Sequence, residues 1–283
     1  MTLAPLGFEI DHSSCSRCEL CVKDCVAGVI DVDPFGFPLV SAERESECVF
    51  CQHCLAVCPN GAVSIRGVRA ANAQALTPEL LPKLEQMEHL VRVRRSVRQY
   101  READVDPVLI QRLLDAISNA PTGVNVRDLT YTVIQERSVL SALRERVTDA
   151  ILTAAQSQQF AQNSAFLVNA AHRWRSEGRD LIFRNAPHLL VVSASPAMRT
   201  PQQDVALTLA YFELLAQSAG LGTVWCGYLK VVLDALPSLK ALLSLAPDDT
   251  YYGMLFGYPA IKYARGVQRE GSAHIRQLKS IGA

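Results

Sequence analysis

The residues with the clearest chemistry are eight cysteines in the first 58 positions, which form two runs with one spacing. Each run reads C-x2-C-x2-C-x3-C, and together they comprise Cys15, Cys18, Cys21, Cys25, Cys48, Cys51, Cys54 and Cys58. The flanks also match, because Cys25-Val-Ala-Gly-Val-Ile corresponds to Cys58-Pro-Asn-Gly-Ala-Val. The pattern therefore indicates an internal duplication of one small unit.

Closely spaced thiolates favour soft metals, of which iron and zinc are the candidates. Structural zinc usually takes two separated C-x2-C pairs, and two runs of three closely spaced cysteines fit that arrangement poorly. A cubane of iron and sulfide needs four converging thiolates, so three from one tight loop require a fourth from elsewhere. The spacing favours iron–sulfur clusters over zinc.

Residues 5–67 resemble the bacterial ferredoxins that carry two [4Fe–4S] clusters, in which the fourth cysteine of each run serves the other cluster. The resemblance implies that one cluster takes Cys15, Cys18, Cys21 and Cys58. The other takes Cys48, Cys51, Cys54 and Cys25. One departure is that the proline after the last cysteine is present as Pro59 but is replaced by Val26 in the first copy. Such a unit is expected to hold and pass single electrons.

A second group of candidate residues lies beyond position 90 and begins with Arg94-Arg95-Ser96-Val97-Arg98. Guanidinium groups and a serine hydroxyl suit the oxygens of a phosphate group, although a solvated basic helix end would have the same composition. Three further motifs follow in order: Ala120-Pro-Thr-Gly-Val-Asn125, Gly220-Leu-Gly-Thr-Val-Trp-Cys-Gly227, and Gly257-Tyr-Pro259 with Lys262 and Arg265.

This series resembles the nitroreductase family of flavoproteins over residues 88–283. The resemblance implies an α/β/α sandwich that forms a homodimer with FMN at the subunit interface. Arg94 and Ser96 would hold the flavin phosphate together with Lys262 and Arg265. Arg98 would approach the N1 and O2 edge of the isoalloxazine, where a cation stabilises the reduced ring.

The remaining site residues implied by the resemblance come from the two central motifs. Asn125 would contact the ribityl chain or pyrimidine edge, and Pro121 with Thr122 would shape that loop. Gly222 and Gly227, like Gly220, would let the backbone approach the ring, with a backbone N–H near Cys226 reaching flavin N5. The thiol of Cys226 is a weak catalytic candidate, and a packing role is the favoured interpretation.

Several other side chains have types that could serve chemistry. Arg127 stands where relatives often carry glutamine, which would place a charge at the substrate mouth. The segment 156–183, which contains His172 and Trp174, is where the family sets specificity, but a helix surface with one buried aromatic is the favoured interpretation. His188 is expected to be structural. The chain has no dinucleotide-binding G-x-G-x-x-G motif, which leaves NAD(P)H possible as a transient donor stacked on the flavin.

The elements that must position these residues are a mixture of short strands and helices, which predicts an α+β chain. We expect a ferredoxin domain over 1–67, a linker and helix over 68–87, and the FMN domain over 88–283. Thr77-Pro78-Glu79 predicts a helix start, and Asp106-Pro107 predicts a capped helix that buries Ile110, Leu113, Leu114 and Ile117. Another helix is predicted near 203–218, with strands near 131–134, 189–192 and 252–256. Asp33-Pro-Phe-Gly36 predicts a hairpin.

Composition limits the remaining classes of function. The chain has 283 residues, of which 49% are hydrophobic and 20% are charged, as expected of a folded protein. Its zero net charge conceals −5 over residues 1–66 and +5 beyond, which argues for two modules and against a broad nucleic-acid surface. No stretch predicts a membrane span or a signal peptide, so a cytoplasmic location is expected, where cysteines stay reduced.

These observations predict an enzyme in which the ferredoxin domain relays electrons to FMN, which reduces an electron-poor organic substrate of the nitro, quinone or enone type. The external donor would be a ferredoxin-like carrier or NAD(P)H. One alternative reverses the flow, so that a substrate is oxidised at FMN and electrons leave through the clusters. Another is a redox carrier or sensor that turns over no small molecule.

Overall fold

The computed structural model describes residues 6–157, 165–269 and 271–280, which form two compact units. The first unit extends to Leu81 and also includes Val124–Val126. The second contains Pro82–Gly123 and the chain from Arg127 onward.

Short elements make up the first unit, in the order β1 (Glu9–Ile10), α1 (Leu20–Lys23), β2 (Asp31–Val32), β3 (Pro38–Leu39), α2 (His53–Ala56), β4 (Val63–Ile65) and β5 (Val68–Arg69). Strands β1, β4 and β5 form one antiparallel sheet in that order. The predicted hairpin is confirmed, since Asp31 pairs with Leu39 and Val32 with Pro38. Gly36 adopts the φ of 83° that its turn requires, and the Asp33 carboxylate accepts hydrogen bonds from the backbone N–H groups of Phe35 and Phe37.

The duplication read from the sequence is repeated in the backbone. The second residue after the first cysteine of each run is left-handed, with φ of 58° at Arg17 and 52° at Phe50. The fourth residue is left-handed too, at Glu19 and Gln52, and a four-residue helix follows directly in each copy. Each copy then closes with a turn at a left-handed glycine, Gly28 or Gly61.

The elements of the second unit are α3 (Leu84–Val93), α4 (Pro107–Ile117), β6 (Leu129–Ile134), α5 (Arg137–Gln156), α6 (Ala165–Glu177), β7 (His188–Ala194), α7 (Pro201–Ser218), β8 (Gly222–Trp225), α8 (Gly227–Ala235) and β9 (Thr250–Gly257). Four strands form one antiparallel sheet in the order β6-β7-β9-β8. The predicted helix at 203–218 and the three predicted strands are confirmed, each within a few residues.

Alternating side chains of the central strands divide the core of the second unit into two layers. Leu189, Val191 and Leu255 pack on one face with residues of α5, α6 and α8. Leu190, Val192 and Met254 pack on the other face with α4 and α7. Strand β7 is buried at all seven positions, because helices cover both of its faces. This is the α/β/α sandwich that the resemblance implies.

Two predicted helix starts had different outcomes. The start at Asp106 is confirmed, because its carboxylate accepts a hydrogen bond from the Val108 backbone N–H at 2.9 Å and α4 follows. The start at Pro78 is wrong, since Pro78–Leu80 is a short 3-10 turn and α3 begins only at Leu84. Pro82 explains the delay, because a proline disfavours helical backbone at the residue before it.

Among the described residues, no helix combines the length and apolar character that crossing a membrane requires.

Candidate functional site

A small cavity in the first unit is lined by four cysteines, of which three come from the first run and one from the second. These are Cys15, Cys18, Cys21 and Cys58. Apolar side chains complete the wall, among them Ile10 and Val63. A second cavity has the reciprocal composition, with Cys48, Cys51, Cys54 and Cys25 beside Val29 and Ile30. The folded chain thus groups the eight thiols into the same two sets of four that the ferredoxin resemblance implies.

The surroundings of these thiols suit sulfur that carries negative charge. The Arg17 backbone N–H donates to Cys15 Sγ at 3.4 Å, and the Ala62 N–H donates to Cys58 Sγ at 3.3 Å. The pKa of Cys54 is raised to about 11, mainly by burial and to a smaller extent by neighbouring thiols, first among them Cys51, so its thiolate needs a nearby cation. Thiolates are the ligands of iron–sulfur clusters, so four cysteines around one cavity are a donor set that fits a [4Fe–4S] cluster.

In the second unit, the segment from Arg94 to Arg101 is held against the sheet by its backbone. The Val97 N–H donates to the Thr223 carbonyl at 2.8 Å, and the Arg101 N–H donates to the Tyr258 carbonyl at 2.8 Å. Gly222, which starts β8, lies so close that a Cβ atom there would be 2.5 Å from Val97 Cγ2. A glycine is therefore required at this position for the arginine segment to reach the strand.

Two of the four residues predicted to hold the phosphate, Lys262 and Arg94, line cavities of this unit. One cavity of about 340 Å³, here called the Lys262 cavity, is lined by Lys262 and Gly222 together with Arg95 and Arg101. Arg95 belongs to the segment that the sequence predicts to suit a phosphate group, and Arg101 lies three positions beyond it. The backbone of Ser96 pairs with that of Thr223 in an isolated parallel β-bridge, and the Tyr263 hydroxyl donates to the Ser96 carbonyl at 3.4 Å. Arg265 is exposed.

Arg94 is fixed by a carboxylate inside the core. Its Nη1 donates to Glu213 Oε1 at 3.0 Å, and Glu213, on α7, is only 8% exposed. The hydroxyl of the buried Thr223 donates to the same oxygen at 3.4 Å. Arg94 also lines a cavity of about 560 Å³ that it shares with Arg92, Arg95 and Arg269. The pair with Glu213 sets where this guanidinium lies.

A further cavity of about 410 Å³, here called the Arg98 cavity, brings together three of the predicted flavin residues, Arg98, Cys226 and Gly227. Its walls also include Arg184, Tyr228, Trp225 and Tyr252. The rings of Trp225 and Tyr252 meet edge to face, with their centres 5.3 Å apart. None of the last four was singled out from the sequence. Of these four, Trp225 was the easiest to predict from the sequence, because it stands inside the quoted glycine motif.

Cys226 lines the Arg98 cavity and is 3% exposed. Its thiol donates to the Ile182 carbonyl at 3.3 Å, and burial raises its pKa to about 12. Its backbone N–H donates to the Gly253 carbonyl at 2.8 Å, so a backbone donor for a ligand would come from the residues that follow, at the start of α8. A protonated, hydrogen-bonded thiol agrees with the packing interpretation.

The loop predicted to contact the flavin is divided between the units. Thr122, in the second unit, accepts a hydrogen bond from the Arg127 backbone N–H at 3.0 Å, and Pro121 is exposed. The Arg127 guanidinium donates to the Ser118 carbonyl at the end of α4. Asn125 belongs to the first unit, where its amide donates to the carbonyls of Val49 and Phe50 at 3.1 and 3.0 Å.

Trp174 and His188, whose roles the sequence interpretation gave as structural, have hydrogen-bond partners within the fold. The indole N–H of Trp174 donates to Glu145 at 2.9 Å, and the guanidinium of Arg144 lies 4.8 Å from the indole ring. His188 is buried and accepts a hydrogen bond from the Val105 backbone N–H at 2.9 Å, and burial lowers its pKa. His172, exposed on α6, accepts a hydrogen bond from Ser176 through its backbone carbonyl. The part of segment 156–183 that falls on 158–164 lies outside the described residues.

Comparison with known proteins agrees with this architecture. The profile of the nitroreductase family matches residues 91–258, more than half of the chain, and that of the 4Fe-4S dicluster domain matches residues 14–63. A putative NADH dehydrogenase/NAD(P)H nitroreductase of Methanothermobacter thermautotrophicus is 24% identical over 185 residues, which cover 63% of this chain and 81% of that protein. The ferredoxin-type protein NapF of Escherichia coli K12 is 33% identical over 60 residues, 21% of this chain and 36% of that protein.

Among solved structures, a Bacteroides fragilis nitroreductase with bound FMN superposes with a TM-score of 0.56 at 22% identity. The match covers 68% of this chain and 99% of that one, and it establishes the shared fold. These matches agree with the α/β/α sandwich of the second unit and with the duplicated cysteine runs of the first. The chain therefore belongs to the nitroreductase family of FMN-dependent oxidoreductases and carries a 4Fe-4S dicluster domain at its N-terminal end.

Proposed function

We propose that this protein is an iron–sulfur flavoprotein oxidoreductase in which two [4Fe–4S] clusters pass single electrons to FMN, and an electron-poor organic substrate is reduced there. The observation that carries the proposal is the pair of cysteine-lined cavities in a chain whose other unit has the nitroreductase fold. In this arrangement the first unit would supply electrons to the second unit of the same chain, where the substrate would be reduced.

In this proposal the eight cysteines ligate the clusters as two sets of four. Each set closes only when the two runs fold together, because the fourth thiolate comes from the other run. The left-handed residues after the first cysteine turn the backbone around each set, and the N–H groups of Arg17 and Ala62 stabilise charge on Cys15 and Cys58. Hydrogen bonds of this kind raise the reduction potential of a cluster.

For FMN, the proposal assigns the phosphate to Arg94, Ser96, Lys262 and Arg265, with Arg95 added because it lines the Lys262 cavity. Bound FMN supplies the exchange between one-electron and two-electron chemistry. In the proposal the charge of Arg98 would favour the reduced ring, and Arg98, Cys226 and Gly227 line one cavity. Pro121, Thr122 and Gly222 would complete the contacts, and Asn125 would exchange its hydrogen bonds to Val49 and Phe50 for one to the flavin. The thiol of Cys226 stays protonated at neutral pH and keeps the base of the cavity filled.

A homodimer with FMN at the subunit interface, as is typical of the family, is part of the proposal. NAD(P)H or a reduced ferredoxin-like carrier is the proposed external donor.

The test is anaerobic stopped-flow spectroscopy of the cluster-loaded, FMN-loaded protein mixed separately with NADH, NADPH and a reduced low-potential ferredoxin. The flavin is followed by its visible absorption together with the broad iron–sulfur absorption. We expect the reduced ferredoxin to bleach the clusters before the flavin, and added quinone or nitroaromatic to reoxidise both. Flavin reduction by NAD(P)H followed by the clusters would instead support outward flow, and reduction without turnover of any acceptor would support a carrier or sensor.

A further inference from the structure

We infer that the Arg98 cavity selects substrates that carry a carboxylate, and that Arg184 is the residue that recognises it. The inference deepens the proposed function and rests on it. Arg184 lies on the loop between α6 and β7, and its side chain lines this cavity with Arg98 and Cys226.

A buried carboxylate builds the loop that presents Arg184. The Asp180 residue is 7% exposed and accepts backbone hydrogen bonds from Ile182 at 3.1 Å, Phe183 at 2.7 Å and Asn185 at 2.9 Å. The fourth donor is Arg144 Nε on α5, at 2.8 Å. Four donors on one carboxylate fix the path of residues 180–185, because each N–H can be satisfied in only one loop conformation.

The loop is held in an unfavourable backbone conformation at the arginine itself. Arg184 has φ of 57° and Asn185 has φ of 50°, so two consecutive residues without the freedom of glycine are left-handed. Asparagine tolerates this region, but a long side chain such as arginine rarely adopts it. Such strain persists where the surroundings over-determine it, and it is concentrated at functional sites. Here the strained residue is one that lines the cavity.

The charge of the cavity is positive and is not neutralised from within. In the part of the chain that the structure describes, neither Arg98 nor Arg184 takes part in an ion pair, whereas Lys230, which also lines the cavity, is paired with Asp234. Helix α8 begins at the lining residue Gly227, and a helix N-terminus adds partial positive charge.

The remaining wall is aromatic and apolar. Trp225, Tyr228 and Tyr252 line the cavity, and the guanidinium carbon of Arg184 lies 5.8 Å from the Tyr228 ring centre. Since Arg98 is assigned to the flavin, Arg184 is the cation left for the substrate. A planar guanidinium fork pairs with a carboxylate through two parallel hydrogen bonds, and the aromatic wall suits a ring that bears it.

The experiment compares benzoate with benzamide, which share size and ring but differ in charge, as dead-end ligands of the FMN-loaded protein. Binding is followed by flavin absorption and independently by tryptophan fluorescence in a Trp174→Phe background, in which Trp225 is the one tryptophan left. We expect benzoate to bind at least about tenfold tighter, and Arg184→Gln to remove that preference, a loss of about 1.4 kcal/mol. Arg184→Lys should retain part of it, and Arg112→Gln, an exposed arginine on α4, is the control that should retain all of it.

The inference is overturned if benzoate shows no preference over benzamide or if the preference survives in Arg184→Gln. A measurement on the unmodified protein guards against a variant that fails to fold: raising the ionic strength must weaken benzoate binding and leave benzamide unchanged. Because neither ligand is reduced, this result is separate from the proposed function. The proposed function is tested separately, by reduction of 4-nitrobenzoate and 4-nitrobenzamide with electrons supplied through the clusters. If neither compound is reduced, the proposed function fails, but the comparison of benzoate with benzamide binding still tests the role of Arg184.

Discussion

The close approach of Gly222 to Val97 gives the most direct test of how the sheet holds the arginine segment. A Cβ atom added to Gly222 would lie 2.5 Å from Val97 Cγ2, 2.7 Å from its Cβ and 2.8 Å from its Cγ1. No rotamer of Val97 relieves all three contacts, since one involves Cβ itself. The backbone of the segment would have to move away from β8.

The expected cost of Gly222→Ala is that of overpacking a filled core, about 1–3 kcal/mol. For a unit of this size that corresponds to a fall in melting temperature of about 2–12 °C. Because the Val97 N–H is bonded to the Thr223 carbonyl and Ser96 bridges to Thr223, the displacement should also weaken FMN binding. Both tryptophans of the chain, Trp174 and Trp225, lie in the second unit, so urea unfolding followed by their fluorescence reports on this unit alone.

The matched control is Val97→Ala, which removes two methyl groups from a residue that is 3% exposed. This loss should cost about 1.6 kcal/mol before any cavity term. In the double variant the contacts with Cγ1 and Cγ2 are absent and only the contact with the Cβ atom of residue 97 remains, so a smaller displacement of the backbone is needed. The loss of stability in the double variant should be smaller than the sum of the single losses by at least about 1 kcal/mol, and additivity within about 0.5 kcal/mol would refute the reasoning, because it would mean that the two side chains do not meet.

Three other outcomes follow from the structure. Cys25→Ala and Cys48→Ala should remove the same cluster and Cys58→Ala the other, as judged by electron paramagnetic resonance and iron content of anaerobically purified protein; loss of different clusters in the first two variants would contradict the proposed ligation. Burial raises the pKa of Cys226 to about 12. The unfolded thiol has a pKa of about 8.5, so the stabilising effect is complete below about pH 8 and is lost as the pH rises towards the folded value. Between about pH 7 and pH 10 the native protein should therefore lose about 1–2 kcal/mol more than Cys226→Ala in urea unfolding, and equal losses would disprove the shift. Asp106→Ala should lower the unfolding free energy by about 1 kcal/mol through loss of the cap on α4, whereas Asp106→Asn should cost far less; equal effects would show that the cap does not matter.

The parts of the fold that sequence reasoning obtained correctly are those set by local pattern. The spacing of apolar residues after Asp106 placed α4, and the turn at Gly36 placed the hairpin, because each depends on residues a few positions apart. The start of α3 was missed for an equally local reason. Thr77-Pro78 has the composition of a helix start, but Pro82 disfavours helical backbone just before it, so the helix begins only at Leu84.

The contacts that sequence reasoning could not obtain join distant parts of the chain. Glu213 was unremarkable on an apolar helix, and only the folded chain brings it to Arg94, 119 positions earlier. Arg184 carried no motif, and its importance depends on the backbone path that Asp180 fixes. No strand was predicted at β8, because its pairing with β9 is visible only once the sheet forms.

The left-handed residues of the cysteine runs have a consequence for the lifetime of the first unit in air. Arg17, Glu19, Phe50 and Gln52 each adopt a left-handed conformation. That conformation costs roughly 1–2 kcal/mol for a residue with a side chain. On the proposed ligation, iron–thiolate bonds offset that cost, so binding free energy and folding free energy are the same quantity in these loops. Oxidative loss of a cluster would then unfold the cysteine loop as well as release the iron. The unfolded loop would be open to cleavage by cellular proteases, so a protein that can no longer carry electrons would also be degraded.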